Sequence, residues 1–229
     1  MNTENNTDNA LAVIFDMDGV LVDSYQAHFE SWRQAARIHG LDMTEQQFAE
    51  TFGRTSREII DAIWGDLVSD DTAKLWDDQK EIAYRQLLAA NFPEMHGAHQ
   101  LLTTLRDAGF KMAVGSSGPP ENVELVLKKL GKDLFAAAVT ARDVSRGKPH
   151  PEVFLKAAEK LQIEPSKCAV VEDAPAGIQA ARSAGMIAIA ITGTAPRELL
   201  AEHSDLVIDS LAELSPELIA SLISDSTHR

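Results

Sequence analysis

Short apolar runs alternate with amphipathic helical patterns along the chain from Met95 onward. The candidate strands are residues 110–114, 136–140, 169–171, 187–191 and 206–208. Helical stripes lie between them, of which Leu101, Leu102 and Leu105 are an example. Strands that are apolar at every position are buried on both faces, as in a parallel sheet with helices on each side. The alternation therefore predicts an α/β fold built on a doubly wound parallel sheet.

The segment from about Tyr25 to Phe92 breaks this alternation, because it contains helical patterns and no convincing strand. Thr44 and Gln47 have the spacing of a capping box at a helix start. The chain's three tryptophans all lie in the segment, at Trp32, Trp64 and Trp76. We expect them in the core of a small helical bundle. The predicted domains are an α/β core (10–24 and 94–229) and a helical cap (25–93), inserted where it can act as a lid.

Composition narrows the class of protein. The chain has 229 residues, of which 45% are hydrophobic, which suits one core with a small insertion. A formal net charge of −14 argues against nucleic acid or an anionic membrane as a partner. The single cysteine, Cys168, excludes an internal disulfide, and we expect it to be a buried structural thiol. No apolar run has the ~20 residues of a membrane helix, and no signal peptide is recognised, so a cytoplasmic monomer is expected.

The first apolar run delivers two acids to the end of a strand. Val13, Ile14 and Phe15 are followed by Asp16-Met17-Asp18-Gly19. In open parallel sheets, ligands bind beyond the carboxyl ends of the strands. Two carboxylates at that position suit a hard divalent cation and a carboxylate nucleophile, whereas buried acids without a partner would cost several kcal/mol each, by order of magnitude.

Polar groups also follow three other candidate elements. They are Ser116-Ser117 after the second strand, Lys148 in the loop 146–151, and Glu172-Asp173 after the strand at 169–171. Taken singly, the serine is commonly a helix cap, the lysine commonly solvated and the acidic pair commonly a helix start. Four such groups at the ends of elements of one sheet indicate a shared crevice.

Together these residues predict phosphoryl transfer through an aspartyl phosphate. Mg²⁺ is a hard ion that binds few carboxylates plus phosphate oxygens, so it would let a phosphate approach the acids. Asp16 would be both metal ligand and nucleophile, and Asp18 the general acid and base. Lys148 would neutralise charge, while Ser116 and nearby backbone N–H groups hold the phosphate oxygens. Gly19 and Ser117 belong to the same predicted phosphate-binding loops.

The motifs closely resemble those of the haloacid dehalogenase-like superfamily over nearly the whole chain. The four matching segments are 15–20 (Phe-Asp-Met-Asp-Gly-Val), 115–117 (Gly-Ser-Ser), 147–149 (Gly-Lys-Pro) and 172–173 (Glu-Asp). The resemblance implies a Rossmann-like core and a helical cap after the first strand. It also implies Mg²⁺ held by Asp16, the backbone oxygen of Asp18 and Asp173, with Glu172 nearby. The second aspartate, Asp18, points to phosphate esters.

Within the superfamily, the cap is similar to that of the β-phosphoglucomutase branch. The similar residues are Asp23, Ser24, His28, Trp32 and Arg57. The resemblance implies that Arg57 grips a non-reacting phosphate of the substrate. Alternatively, Arg57 pairs with Glu58 or Asp61 on its own helix.

The chain departs from the mutase branch at a second cap lysine, which has no counterpart in this sequence. Gln86 occupies the position, and the nearest cations are Lys80 and Arg85. This departure favours a phosphatase of small phosphorylated metabolites, with sugar phosphates as the expected class. β-Phosphoglucomutase is the alternative, and a phospho-receiver signalling domain is a remote one, because receivers lack a helical insertion.

Overall fold

The computed structural model describes residues 10–65 and 68–226. Its contacts divide the chain into two compact units. The helical unit is Ser24–Pro93, and the α/β unit contains the described residues up to Asp23 together with those from Glu94 onward. The predicted roles of the two segments as catalytic core and lid stay predictions.

The α-helices described in the helical unit are α1 (Tyr25–Ile38), α2 (Glu45–Thr51), α3 (Ser56–Trp64) and α4 (Asp70–Ala90). Thr44 and Gln47 form the predicted capping box at the start of α2. The cap of α3 is Thr55, whose hydroxyl accepts from the Glu58 N–H. The three tryptophans are buried, as predicted, in a cluster with Phe29 and Phe48.

The α/β unit is built on a parallel sheet. Within the described residues its strands are β1 (Ala12–Phe15), β2 (Lys111–Gly115), β3 (Ala137–Val139), β4 (Cys168–Glu172), β5 (Ile187–Ile191) and β6 (Leu206–Ile208). Their order is β3-β2-β1-β4-β5-β6, and every pair is parallel. The order reverses between β1 and β4, which is where a doubly wound sheet opens a crevice for ligands. The predicted fold class is confirmed.

Helices cover both faces of this sheet. They are α5 (Ala98–Asp107), α6 (Pro120–Leu130), α7 (Glu152–Leu161), α8 (Pro175–Ser183), α9 (Arg197–Ala201) and α10 (Pro216–Ser226). Helix α7 packs on β1, β2 and β3, whereas α10 packs on β4 and β5. Both faces of β1 are fully buried, which explains why its four residues are all apolar.

The helical unit leaves and rejoins the α/β unit at neighbouring positions. Val22 and Glu94 form an isolated antiparallel bridge. The Met95 N–H donates to the Leu21 carbonyl over 3.1 Å. The segments that lead into and out of the helical unit, at residues 21–22 and 94–95, are therefore hydrogen-bonded side by side.

Cys168 is buried, as predicted, and its thiol donates to the Glu164 carbonyl. Burial raises the pKa of this thiol to about 12, so it stays protonated. Across the described ranges, no helix combines the length and apolar character needed to cross a bilayer.

Candidate active site

Asp16 lies at the carboxyl end of the central strand, β1. Its N–H donates to the Val171 carbonyl of β4 over 2.9 Å. Because Phe15 pairs with Val171, the next residue along β4, Glu172, lies beside Asp16. Asp173 follows Glu172 directly. The strand register thus brings together acids that are more than 150 residues apart in the sequence.

Three carboxylates form a compact buried cluster. One oxygen from each of Asp16, Glu172 and Asp173 lies within 4.8 Å of the others. The three residues are only 8%, 2% and 6% exposed. Such burial of several like charges is unfavourable unless cations are close to them.

Lys148 supplies one cation to this cluster. Its Nζ donates to Asp16 Oδ1 over 2.5 Å and to Glu172 Oε1 over 2.7 Å. The ammonium lies 4.9 Å from the centre of the Phe154 ring, within range of a cation–π contact. Lys148 was one of the predicted site residues, and the structure places it against two of the predicted acids.

Glu172 is held from both sides. Its Oε2 accepts the Ala174 N–H over 2.7 Å, while Oε1 accepts from Lys148. A side chain on Gly177, in the first turn of α8, would overlap the Glu172 carboxylate. The orientation of Glu172 is therefore fixed by the strand end and by the helix that follows.

The electrostatics reflect an excess of negative charge. Burial, with the charges of Glu172 and Asp18, raises the pKa of Asp16 to about 7 despite Lys148. Burial and the charges of Glu172 and Asp16 also raise the pKa of Asp173 well above its usual value. Burial opposes the charged form of Lys148, but Asp16 and Glu172 outweigh it and raise its pKa. The raised pKa values favour protonated Asp16 and Asp173 in the metal-free site; with all three acids ionised, one lysine would leave two negative charges uncompensated.

A divalent cation suits this donor set. The cluster offers only oxygen ligands, which Mg²⁺ prefers, and the two negative charges left over when all three acids are ionised match the charge of the ion. The Asp18 carboxylate is not one of the three grouped acids, although its charge acts on Asp16. The resemblance assigned Asp18 to the metal through its backbone oxygen, and that assignment stays a prediction.

Gly19 lies under the Asp173 carboxylate. Its φ is +75°, and a Cβ at this position would overlap the carboxylate of Asp173. Both the backbone conformation and the close approach therefore require glycine here. Gly19 was predicted to bind phosphate, and the contact that the structure shows is with a predicted metal ligand.

Thr194 is a site residue that the sequence analysis missed. Its hydroxyl donates a short hydrogen bond to Asp173 Oδ2. Thr194 follows the end of β5, the strand beside β4. The rule that found the other candidates, a polar residue shortly after a strand, could have found it.

Ser116 and Ser117 follow β2, the other neighbour of β1. Ser116 is buried, and its Oγ accepts the Gly118 N–H over 3.0 Å. Ser117 is exposed. Their predicted contacts with a phosphate stay predictions.

The predicted cap residues lie in the helical unit. Arg57 forms ion pairs with Asp61 at 2.6 Å and with Asp70 at 2.9 Å. Glu58, the other partner considered, instead caps α3 through Thr55. The alternative pairing of Arg57 with Asp61 on its own helix is therefore present, and its grip on a substrate phosphate stays a prediction.

Lys80 is a buried cation of the helical unit. Its Nζ lies 2.7 Å from Glu81 Oε1 and 5.3 Å from the centre of the Tyr84 ring. Its side chain is 6% exposed.

Residues 11–185 match the haloacid dehalogenase-like hydrolase family. The chain is 35% identical over 208 residues to validoxylamine A 7'-phosphate phosphatase of Streptomyces hygroscopicus subsp. limoneus, covering 88% of this chain and 94% of that relative. It is 32% identical over 216 residues to β-phosphoglucomutase of Bacillus subtilis (strain 168), covering 91% and 93%. A crystal structure of β-phosphoglucomutase from Clostridium difficile superimposes with a TM-score of 0.81 at 29% identity, covering 96% of this chain and all of that one.

Proposed function

The chain belongs to the haloacid dehalogenase-like hydrolases, and from that membership we propose that it is a Mg²⁺-dependent phosphatase of small phosphorylated sugars. The observation that carries the proposal is the buried cluster of Asp16, Glu172 and Asp173 with one lysine and an excess of negative charge. The similar validoxylamine A 7'-phosphate phosphatase acts, by its name, on a phosphorylated metabolite.

The proposed reaction has two steps. A carboxylate oxygen of Asp16 attacks phosphorus, and the bond between phosphorus and the ester oxygen breaks as Asp18 gives that oxygen a proton. Water then attacks the phosphorus of the aspartyl phosphate and gives a proton to Asp18. The carboxyl–phosphate bond breaks, so inorganic phosphate leaves and Asp16 is restored.

The other residues of the site stabilise charge. Lys148 neutralises negative charge that the phosphoryl group brings beside Asp16. When bound, Mg²⁺ supplies the remaining positive charge, with Asp16, Asp173 and the backbone oxygen of Asp18 as its ligands and Glu172 nearby. Ser116, Ser117 and the Gly19 turn are proposed to hold phosphate oxygens.

β-Phosphoglucomutase is the second candidate, because a relative and a solved structure of that name cover nearly the whole chain. It would form the same aspartyl phosphate but return the phosphoryl group to a sugar hydroxyl. The difference lies in how well water is excluded. The helical unit would act as the lid in both cases. A receiver domain is not supported by the family match. The cytoplasmic location and monomeric state stay predictions.

Product analysis separates the two candidates. The protein is incubated with Mg²⁺ and a panel of phosphorylated sugars that includes β-glucose 1-phosphate, and free phosphate and glucose 6-phosphate are both measured. We expect free phosphate as the dominant product. Dominant glucose 6-phosphate would replace the phosphatase with the mutase.

Asp16→Asn tests the nucleophile that both candidates share. We expect turnover to fall by at least ~10³-fold, because no acyl phosphate can form on an amide, while circular dichroism shows a folded protein. An active, folded Asp16→Asn variant would contradict the assignment of Asp16.

A further inference from the structure

The loop that carries Lys148 lacks regular structure of its own. Residues 144–151, all of them described, form neither helix nor strand, and Gly147 has open space around it. The ammonium of Lys148 nevertheless reaches Asp16 and Glu172 in the buried cluster. Within the loop, the His150 N–H donates to the Gly147 carbonyl over 3.0 Å, and contacts from outside the loop add to this turn in fixing the conformation that delivers the Lys148 side chain.

Glu152, the first residue of α7, binds the start of that loop. Its carboxylate accepts the Ser145 N–H over 3.1 Å, the Arg146 N–H over 3.0 Å and the Ser145 hydroxyl over 2.9 Å. Lys156, one turn further along α7, lies 2.9 Å from the same carboxylate. The hydrogen bonds from Lys156 and from Ser145 lower the pKa of Glu152 to about 2, so it is ionised at neutral pH.

Glu152 contacts the loop both before and after Lys148. The Glu152 N–H also donates to His150 Nδ1 over 3.2 Å, so Glu152 binds the chain on both sides of Lys148. Two residues further on, Phe154 is fully buried and places its ring under the Lys148 ammonium. The first turn of α7 thus fixes both the backbone that carries Lys148 and the surface on which its end lies.

We infer that Glu152 is a positioning residue for Lys148: its carboxylate holds the loop at Ser145 and Arg146 so that the lysine reaches Asp16 and Glu172. The inference rests on the proposed function in one respect, since the effect on turnover depends on Lys148 acting on the phosphoryl group. Glu152 touches neither the three acids nor the lysine itself in the described contacts, so it acts through the loop.

The test compares Glu152→Ala and Glu152→Gln with a matched control, Glu213→Ala. Glu213 also accepts two backbone N–H groups, those of Asp209 and Ser210, but none of its described bonds reaches a predicted site residue. Steady-state kinetics with p-nitrophenyl phosphate and Mg²⁺ are measured beside the melting temperature. We expect a ~10- to 100-fold fall in kcat for Glu152→Ala, with KM changed less than kcat. Glu152→Gln, which keeps one carbonyl acceptor, should lose less, and Glu213→Ala should keep its kcat within about twofold.

A double-mutant cycle tests whether Glu152 acts on turnover through Lys148. In a Lys148→Met background, Glu152→Ala should lower kcat by no more than about twofold, because the side chain through which it acts is already gone. Equal losses in both backgrounds would overturn the inference, as would a Glu152→Ala enzyme with parental kcat. If Glu152→Ala does not fold, Glu152→Gln is decisive under the same criteria.

Amide hydrogen exchange keeps the inference testable if the parent protein has no turnover, a result that would refute the proposed function alone. Loss of Glu152 should speed exchange at the Ser145 and Arg146 amides by at least ~10-fold, as those N–H groups lose their acceptor. The same rates in the parent and the Glu152→Ala variant would overturn the inference without reference to catalysis.

Discussion

Lys148 of the α/β unit and Arg57 of the helical unit each contact two carboxylates, yet their surroundings differ. Lys148 bridges Asp16 and Glu172 with a side chain that is 10% exposed. Arg57 bridges Asp61 and Asp70 with a side chain that is 43% exposed. Water and salt screen the second set of charges, while the first set is shielded from both.

The difference shows why similar contacts have different consequences. Around Lys148 a third buried acid, Asp173, adds a carboxylate whose negative charge the lysine cannot balance, so the ionised cluster favours an additional cation. Around Arg57 the exposed carboxylates are already hydrated, and Asp70 in particular is 95% exposed. The two cations have the same number of ion pairs among the described residues, so the burial of the charged groups is what distinguishes the candidate active site from the surface cluster around Arg57.

Of the two cations compared, replacing Lys148 is expected to have the larger effect. Lys148→Met should lower kcat by ~10²- to 10³-fold, because the developing charge on the phosphoryl group loses its neighbouring cation. Without metal, the variant should also lose about 3–5 kcal/mol of folding free energy, since Asp16 and Glu172 would stay buried without their partner. Kinetics and urea unfolding measure the two effects. If the Lys148→Met enzyme kept the parental kcat, Lys148 would have no role in catalysis, and the functional difference between Lys148 and Arg57 would be refuted.

Gly19→Ala probes the packing beneath Asp173. The added methyl group would overlap that carboxylate, so we expect a ~10-fold or greater rise in the Mg²⁺ concentration needed for half-maximal activity. Gly109→Ala is the matched control, because Gly109 has a similar φ of +84° with nothing near its Cβ position. Each should cost about 1 kcal/mol of stability through the positive φ. Equal Mg²⁺ requirements in the two variants would contradict the role of the close approach.

The pH dependence of stability should distinguish the two charge clusters. The pKa of Asp16 is about 7 in the folded protein against 3.8 as its ordinary value. Between these values the folded state binds more protons than the unfolded state, so the free energy of unfolding falls as pH rises. We expect metal-free protein to be less stable at pH 8 than at pH 5.5.

Two variants and added metal test what causes this slope, the fall in the free energy of unfolding as pH rises. Mg²⁺ should stabilise the protein more at pH 8 than at pH 5.5, since protons compete with the metal for the acids. Asp16→Asn should reduce the slope and Arg57→Met should leave it unchanged. A slope that is the same in Asp16→Asn and the parent would show that other groups cause it.

Arg57→Met should have the smallest effect. Both its partners are exposed, so the melting temperature should stay at the parental value. Turnover of p-nitrophenyl phosphate, which has one phosphate, should also be unchanged. If Arg57 grips a second phosphate, KM for a sugar bisphosphate should rise by ~10-fold or more, and an unchanged KM would refute that role.

The sequence predicted the strands well because each is a short and mostly apolar run. Residues 187–191 and 206–208 match β5 and β6 at both ends, and the run at 169–171 lies within β4. The order of the strands could not be predicted from local sequence patterns, because no such pattern indicates that β1 lies between β2 and β4. The proximity of Asp16 to Glu172 follows from that order.

The parts of the site that escaped prediction depend on distant contacts between side chains. Thr194 reaches Asp173 only because β5 pairs with β4. Arg57 meets Asp70 through the packing of two helices, not through the spacing on one helix that suggested Asp61. An acidic residue such as Glu152 suits the first turn of any helix, so the sequence alone does not reveal that its carboxylate binds the loop at Ser145 and Arg146.

The bridge between Val22 and Glu94 has a consequence for how such a protein can change. Because the inserted segment enters and leaves through adjacent points, its length and internal design can vary without altering the register of β1. If the helical unit is the proposed lid over the substrate, grafting a different insert between these two anchors would change substrate preference. The machinery that handles phosphorus would be inherited unchanged.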